Sequence, residues 1–136
     1  MKKEIFQVKD LIINTTTAAA GFPSPAENYI EENLDLNKYL VKNFESTFFI
    51  RVLGDSMIDV GIYNNDILVV DKSLSPINYS IVIASLNGEL IIKKFLKDKS
   101  GNCYLKSENK KYPIIKLKSD IETIIWGVAR YVIHSL

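Results

Sequence analysis

The sequence predicts a mostly β domain that follows an extended N-terminal arm. Seven short segments rich in β-branched and aromatic residues follow one another from residue 46 onward, separated by glycine, asparagine and aspartate. Residues 1–26 show no sustained hydrophobic period. The 136 residues suit one domain that buries roughly two thirds of its unfolded surface. We therefore expect a flexible arm over residues 1–26 and one folded domain over residues 27–136.

The arm combines small residues with residues that break helices and strands. Its sequence TTTAAAGFPSP, residues 15–25, ends in two prolines that lack the backbone N–H donors a helix or sheet needs. The start MKK and the alanines before Gly21 imitate a secretory signal. The longest apolar run between them, Leu11–Ile13, is far shorter than the roughly 7–15 residues of a signal core. No segment approaches the roughly 20 apolar residues of a membrane span, and we expect a cytoplasmic protein.

A short helix is predicted directly after the arm. In AENYIEENLDLNKYLV, residues 26–41, apolar side chains recur loosely at helical spacing. Ser24 or Pro25 could begin its first turn. The apolar positions are Tyr29, Ile30, Leu34, Leu36 and Leu40.

The strand segments include one clear hairpin. In order they are STFFIRVLG, DILVVDKS, SIVIASL, ELIIKKFLK, NCYLKSE, YPIIKL and ETIIWGVARYVIHSL. The third and fourth are joined by Asn87-Gly88, the dipeptide that type I′ turns prefer. With this turn, Val82 lies opposite Lys93.

The residue types present exclude several kinds of site. The single cysteine, Cys103, cannot form an internal disulfide. We expect it to be a small buried or strand residue rather than a reactive thiol. No Cys and His spacing matches a structural zinc site, so we expect no metal and no cofactor. Trp126 suits a position in the core or an interface.

A corner in the strand pattern offers a candidate nucleophile. The sequence RVLGDSMIDVGI, residues 51–62, interrupts a strand with Gly54, Asp55 and Ser56 and then allows one helical turn. If Ser56 begins that turn, its backbone N–H and that of Met57 point outward with partial positive charge, as an oxyanion hole requires. A serine hydroxyl still needs a base to act as a nucleophile at neutral pH.

The candidate base is a lysine rather than a histidine. The single histidine, His134, lies two residues from the C-terminus, where a part-exposed histidine without a chemical role is the common case. A lysine can serve when burial lowers its pKa from about 10.4 toward neutrality. Lys93 and Lys94 fall on opposite faces of one strand, so one of them faces whatever the sheet covers. The residues alone do not choose between the two, and both could instead extend into solvent or protect a strand edge.

Four motifs in order carry a resemblance to a known family. They are GFPSPA at residues 21–26, DLN at 35–37, GDSMID at 54–59 and LNGE at 86–89, which precedes the lysine pair. Together they resemble the self-cleaving Ser/Lys peptidases of the LexA and UmuD type. The resemblance is closest to the UmuD type and covers nearly the whole chain.

The resemblance implies a fold and a site. The fold would be a compact, curved and barrel-like sheet with short helical turns. Ser56 would be the nucleophile and Lys93 its general base, with Lys94 facing away. The scissile bond would be Ala20–Gly21, which makes the arm the enzyme's own substrate.

The resemblance also implies partners and a biological role. In this family a recombinase filament on single-stranded DNA promotes self-cleavage during the SOS response. The trimmed homodimer then joins a Y-family polymerase of the UmuC type in error-prone translesion synthesis. One alternative is the dimerising domain of a LexA-type or phage-type repressor, although the arm is too short for a helix-turn-helix and a linker. A signal peptidase shares the Ser/Lys chemistry but would need a membrane anchor.

Three further expectations concern surfaces and loops. We expect the homodimer to use Ile121–Ile133, because so apolar a terminal strand would otherwise expose an unpaired edge. The lysine-rich residues 97–118 could be a solvated face or could contact DNA phosphates or an acidic partner. Family members often have glycine at the position of Val60 and Gly-Asp at that of Asn65-Asp66, so the geometry of these two turns is in question.

Overall fold

The computed structural model describes residues 3–4, 12–16, 18–21, 30–118 and 124–136. Its strands are β1 (Lys3–Glu4), β2 (Ile12–Thr16), β3 (Ile30–Asp35), β4 (Thr47–Arg51), β5 (Ile67–Asp71), β6 (Ile81–Leu86), β7 (Glu89–Lys97), β8 (Cys103–Lys106), β9 (Ile115–Lys116) and β10 (Ile125–Ile133). One α-helix, α1, spans Leu36–Leu40, and 3-10 helices span Phe44–Ser46 and Ile58–Val60. The chain forms two compact units, Gln7–Lys42 and the combination of Met1–Phe6 with Asn43–Leu136.

The larger unit is built on one antiparallel sheet. Its strand order is β1-β4-β5-β10-β6-β7-β8-β9. β1 and β9 form the two edges, so the described strands make an open sheet and not a closed barrel. The prediction of a mostly β fold with short helical turns is confirmed.

The hairpin β6–β7 has the predicted register. Val82 lies opposite Lys93, and the two strands meet at Asn87-Gly88. Asn87 has φ 51° and Gly88 has φ 80°, and a type I′ turn requires positive φ at both central residues. Local turn chemistry therefore fixes which side chains of β7 share a face with those of β6.

β10 lies inside the sheet and not at its edge. It pairs with β5 on one side and with β6 on the other. The expectation that β10 is an edge strand is therefore wrong, although Ala129–Ile133 pair with β5 and not with β6. At Gly127 an added Cβ would lie 2.6 Å from Val70 Cγ1, so glycine is needed for this close approach. Residues 119–123, where the predicted interface segment begins, lie outside the described residues.

Two groups of buried apolar side chains form the core. The first contains Ile50, Val52, Met57, Ile62, Leu68, Val70, Ile83 and Ile92, with Trp126 packed against it. The second contains Val82, Ala84, Phe95, Cys103, Leu105 and Val128. The burial of Cys103 confirms its prediction as a small core residue. Trp126 contacts Phe48 at a ring-centre separation of 5.3 Å.

The smaller unit contains β2, β3 and α1. The helix predicted for residues 26–41 is largely wrong, because Ile30–Asp35 pairs with β2 as a strand. Only Leu36–Leu40 is helical, and the Asp35 carboxylate caps it by accepting from Asn37 N at 3.0 Å. β1 and β2 also fall within residues 1–26, where no strand was predicted. The proline-rich residues 22–29 lie outside the described ranges.

Candidate active site

The serine corner forms where β4 ends. The backbone bends at Gly54 with φ 94°, turns at Ser56 and Met57, and enters the 3-10 helix Ile58–Val60. Gly54 N donates to Asn64 Oδ1 at 2.8 Å. Met57 is buried to 1% exposure and anchors the turn in the core. Ser56, next to this anchor, remains partly exposed at the surface of the turn.

The backbone accommodates both departures from the family pattern, Val60 and Asn65-Asp66. The residue that takes a left-handed conformation after the 3-10 helix is Gly61, with φ 80°, and not Val60. Asn65 has φ 74°, and asparagine tolerates this region better than most other residues. Asp66 follows as a buried carboxylate that accepts from Tyr63 N at 2.8 Å. Neither departure therefore distorts the corner that carries Ser56.

Lys93 is the buried lysine of the pair. Its residue is 8% exposed, and its Nζ lies 2.6 Å from Ser107 Oγ. The Nζ also lies 5.3 Å from the ring centre of Tyr112. Burial lowers the pKa of the Lys93 amine from its ordinary value, because the charged form loses its hydration. A lowered pKa favours the neutral amine, which is the form that can act as a general base.

Strand register explains why Ser107 meets Lys93. In the β7–β8 ladder Lys94 lies opposite Lys106, so the next antiparallel position places Ser107 opposite Lys93 just beyond the end of β8. Opposite residues of an antiparallel pair point to the same face. Lys94 therefore lies on the other face, where its Nζ is 3.0 Å from Glu108 Oε1. Lys106 is 3.8 Å from the same carboxylate oxygen, so part of the lysine-rich stretch forms ion pairs within the chain.

Ser56 and Lys93 line one cavity of about 270 Å³. The other residues of its wall are Leu53, Gly54, Asp55, Leu90, Ile91, Ile92 and Tyr112. His134 is not among these lining residues, and its Nδ1 lies 2.5 Å from Asp66 Oδ1. The histidine is thus part-exposed and bonded to a buried carboxylate away from this wall. Within the described ranges, no group of three His, Cys, Asp or Glu side chains could hold a metal ion.

The loop of residues 107–112 contacts both the Lys93 side chain and the turn that carries Ser56. Asn109 Nδ2 donates to the Asp55 carbonyl at 2.9 Å, and the Tyr112 hydroxyl donates to Asp55 Oδ1 at 2.7 Å. Asp59 N donates to the Glu108 carbonyl at 2.9 Å. Sequence reasoning missed this 107–112 loop, because its contacts join residues about 50 positions apart and have no local signature.

One edge of β7 borders the cavity. Strand β8 pairs with β7 only from Lys94 to Lys97, whereas β6 pairs with it along Glu89–Lys94. Among the described strands, residues 90–92 therefore have a partner on one side only. All three residues are among those that line the cavity. An open strand edge offers backbone donors and acceptors to an extended peptide.

The backbone of the serine turn has free donors. Among the described residues, neither Ser56 N–H nor Met57 N–H has a hydrogen-bond acceptor. They are the two groups that the sequence predicts for an oxyanion hole.

The predicted scissile pair, Ala20 and Gly21, is exposed in a bend of the smaller unit. Across the part of the chain that the structure describes, no helix is long and apolar enough to cross a bilayer.

Comparison with known proteins places the fold and the site in context. The family model described as Peptidase S24-like matches residues 11–130. The chain is 38% identical to Protein MucA of Salmonella typhimurium over 143 residues, covering 100% of this chain and 94% of that protein. It is 41% identical to Protein SamA of Salmonella typhimurium over 121 residues, covering 88% and 82%. It is also 36% identical to the LexA repressor of Clostridium tetani over 131 residues, covering 96% of this chain and 63% of the repressor. A match over most of the chain, together with relatives of this identity and coverage, shows that the chain belongs to the S24 peptidase family.

Proposed function

We propose that this chain is a serine peptidase that cuts its own Ala20–Gly21 bond, with Ser56 as nucleophile and Lys93 as general base. The observation that carries the proposal is the shared cavity of Ser56 and a buried Lys93. Lys94, the alternative base, pairs with Glu108 on the opposite face. Lys94 is not among the residues that line the cavity with Ser56, so its amine is not placed to accept the serine proton.

The proposed reaction uses Lys93 twice. The neutral amine takes the proton from Ser56 Oγ as that oxygen attacks the Ala20 carbonyl carbon. The C–N bond to Gly21 then breaks, and the lysine returns the proton to the departing amine. Water hydrolyses the acyl group on Ser56 by the same transfers and releases the new carboxylate. The free N–H groups of Ser56 and Met57 would stabilise the negative oxygen in both halves of the reaction.

The cavity suits a small and extended substrate segment. Leu53, Leu90 and Ile91 give it apolar walls. The open edge of β7 can pair with a peptide backbone as an added strand. This pairing orients the scissile bond without contacts to many substrate side chains. The methyl side chain of Ala20 needs little room, and Gly21 allows the backbone to bend after the cut. These features favour a site that acts on one tethered segment.

We further propose that the trimmed chain is a cytoplasmic accessory subunit of an error-prone translesion polymerase in the SOS response. The motif resemblance to the UmuD type and the near-complete coverage of MucA support this role. This role requires that the chain form a homodimer and bind a UmuC-like Y-family polymerase. It also requires a recombinase filament on single-stranded DNA as the activator of cleavage. The alternative is the dimerising domain of a repressor, which the LexA match favours. That match covers only 63% of the repressor, whereas MucA is covered to 94%.

Mass spectrometry of the purified chain tests the proposed cleavage. After incubation at alkaline pH, we expect a new species that begins at Gly21 and the matching fragment that ends at Ala20. The Ser56→Ala variant, incubated in parallel, should remain intact. Cleavage at another bond, or cleavage that persists in Ser56→Ala, would contradict the proposal.

A further inference from the structure

We propose that Ser107 is a positioning residue that directs the Lys93 amine toward Ser56. The inference rests on the proposed function, since it assigns the orientation of the proposed base. Ser107 is not among the residues that line the cavity shared by Ser56 and Lys93, and its side-chain contact is with Lys93. Its effect on cleavage would therefore pass through Lys93.

The contact between the two side chains is short and buried. Lys93 Nζ and Ser107 Oγ are 2.6 Å apart, and the residues are 8% and 4% exposed. A lysine amine ends a flexible four-carbon stem, so burial alone does not fix its direction. Among the described residues Lys93 has no carboxylate partner, which leaves the Ser107 hydroxyl as its hydrogen-bond anchor.

The backbone holds Ser107 firmly enough to serve as that anchor. It directly follows β8, whose last residue, Lys106, pairs with Lys94 in the ladder. The next two residues join the serine turn: Glu108 N donates to Met57 Sδ at 3.4 Å, and Asn109 Nδ2 donates to the Asp55 carbonyl. The hydroxyl is therefore fixed relative to both β7 and the turn that carries Ser56.

In the structure the Lys93 amine donates to Ser107 Oγ. A neutral amine has two N–H donors and one lone pair. If Ser107 Oγ accepts one N–H, the lone pair stays free to take the Ser56 proton. The ammonium formed by that transfer keeps the same bond, which becomes stronger because the donor is now charged. The hydroxyl would thus orient the base before transfer and favour its charged form after it.

Paired variants test the inference through two signatures. Removing the acceptor in Ser107→Ala should lower the plateau cleavage rate at alkaline pH by roughly tenfold or more, because the lone pair loses its direction. It should also move the midpoint of the pH–rate profile to lower pH, because the ammonium loses a stabilising partner. Ser107→Thr keeps the hydroxyl and should restore both properties. Ser100→Ala, at an exposed turn, is the matched control.

A loss of packing would produce the opposite pH signature. If Ser107→Ala merely loosened the site and admitted water, Lys93 would be better hydrated and the midpoint would move to higher pH. That result, or a Ser107→Ala rate equal to the wild-type rate, would overturn the inference. Failure of Ser107→Thr to restore the rate in a folded protein would overturn it as well.

A second readout does not depend on cleavage. In the Ser56→Ala background, carbon-13 NMR of labelled lysine side chains follows the titration of Lys93 directly, with Lys93→Met to assign its signal. Adding Ser107→Ala should lower the Lys93 midpoint, and an unchanged or higher midpoint would contradict the inference. If the wild-type chain does not cut itself, the proposed function fails, and this titration alone decides whether Ser107 holds the amine.

Discussion

The hydroxyl of Tyr112 donates a 2.7 Å hydrogen bond to the carboxylate of Asp55, the residue directly before Ser56. The same ring lies 5.3 Å from Lys93 Nζ. One side chain thus contacts both the turn of the proposed nucleophile and the proposed base. The hydrogen bond and the negative charge of Asp55 raise the pKa of Tyr112 above its ordinary value, so the phenol stays protonated as a donor at neutral and mildly alkaline pH.

Tyr112→Phe separates these two contacts. It keeps the ring beside Lys93 but removes the hydrogen bond that restrains Asp55, so we expect cleavage to slow by about threefold to tenfold. The measurement is the first-order rate of appearance of the Gly21 product. Tyr79→Phe alters an exposed tyrosine that does not line the cavity and serves as the control. Equal rates for Tyr112→Phe and wild type would show that this bond does not hold the turn.

The cleavage rate should rise with pH above neutrality. The reactive form requires a neutral Lys93, and burial lowers the pKa of that amine in the folded chain. The rate should therefore climb as pH passes through the folded-state pKa and level off above it. Rates measured from about pH 6 to pH 10 cover the range in which a lowered lysine pKa falls. A flat profile, with circular dichroism showing a folded protein throughout, would exclude lysine as the base.

Asp71 should stabilise the fold in a pH-dependent way. Burial alone would raise its pKa, but hydrogen bonds from Ser73, Asn43 and Ser46 outweigh burial and lower it to about 2. A depressed carboxyl pKa adds stability above the unfolded value, near 3.9, that is lost as pH falls through about 2. Asp71→Asn should therefore lower the free energy of unfolding by about 2 kcal/mol at pH 7.

Urea denaturation across pH tests the role of Asp71. The difference between Asp71→Asn and wild type should shrink as pH falls from about 5 toward 2. Glu89→Gln is a suitable control, because Glu89 is exposed and its side chain has no hydrogen bond or ion pair among the described residues. It should change stability little. A deficit for Asp71→Asn that stays constant with pH would mean that lost packing, not lost charge, causes it.

We expect a homodimer before and after cleavage. Val132 and Ile133 at the end of β10 are 40% and 43% exposed, and Val132 also lines an apolar cavity of about 200 Å³ beside Val60 and Tyr131. Exposed apolar surface of this kind favours association. Sedimentation at micromolar concentration should give twice the monomer mass for the full chain and for a chain starting at Gly21.

A charged substitution sharpens the dimer test. Val132→Asp should dissociate the pair, whereas Ile77→Asp, at a 76% exposed position outside that cavity, should not. A monomer for both the full and the trimmed chain would remove the proposed interface. A dimer that exists only before cleavage would mean that the arm holds the pair together.

Local chemistry made the β6–β7 hairpin predictable. Asn87-Gly88 specifies its turn, and strand alternation then places Lys93 and Lys94 on opposite faces. The serine corner could also be predicted, because Gly54, Asp55 and Ser56 interrupt the strand pattern. Both features depend on residues that are close in the sequence.

The remaining features depend on contacts between distant residues. The Ile30–Asp35 segment has apolar residues that suit either a helix or a strand, and pairing with β2 decides in favour of the strand. The composition of β10 does not indicate that this strand lies between β5 and β6. The contact of Ser107 with Lys93 can be inferred only when the β7–β8 register is known. Tyr112 is likewise 57 positions from Asp55, its hydrogen-bond partner. The residues alone therefore offered Ser56 as a candidate nucleophile and Lys93 or Lys94 as a candidate base, and the family resemblance named Lys93. They did not indicate the residues that contact this pair.

The most direct measurement compares self-cleavage of Lys93→Ala and Lys94→Ala under the same alkaline conditions, with intact mass as the readout. The two lysines are adjacent in the chain, but Lys93 lines the cavity with Ser56 whereas Lys94 pairs with Glu108 on the other face. We predict that Lys93→Ala abolishes the Gly21 product and that Lys94→Ala retains most of the wild-type rate, both variants remaining folded. Loss of cleavage in Lys94→Ala together with cleavage in Lys93→Ala would contradict the assignment of Lys93 as the base.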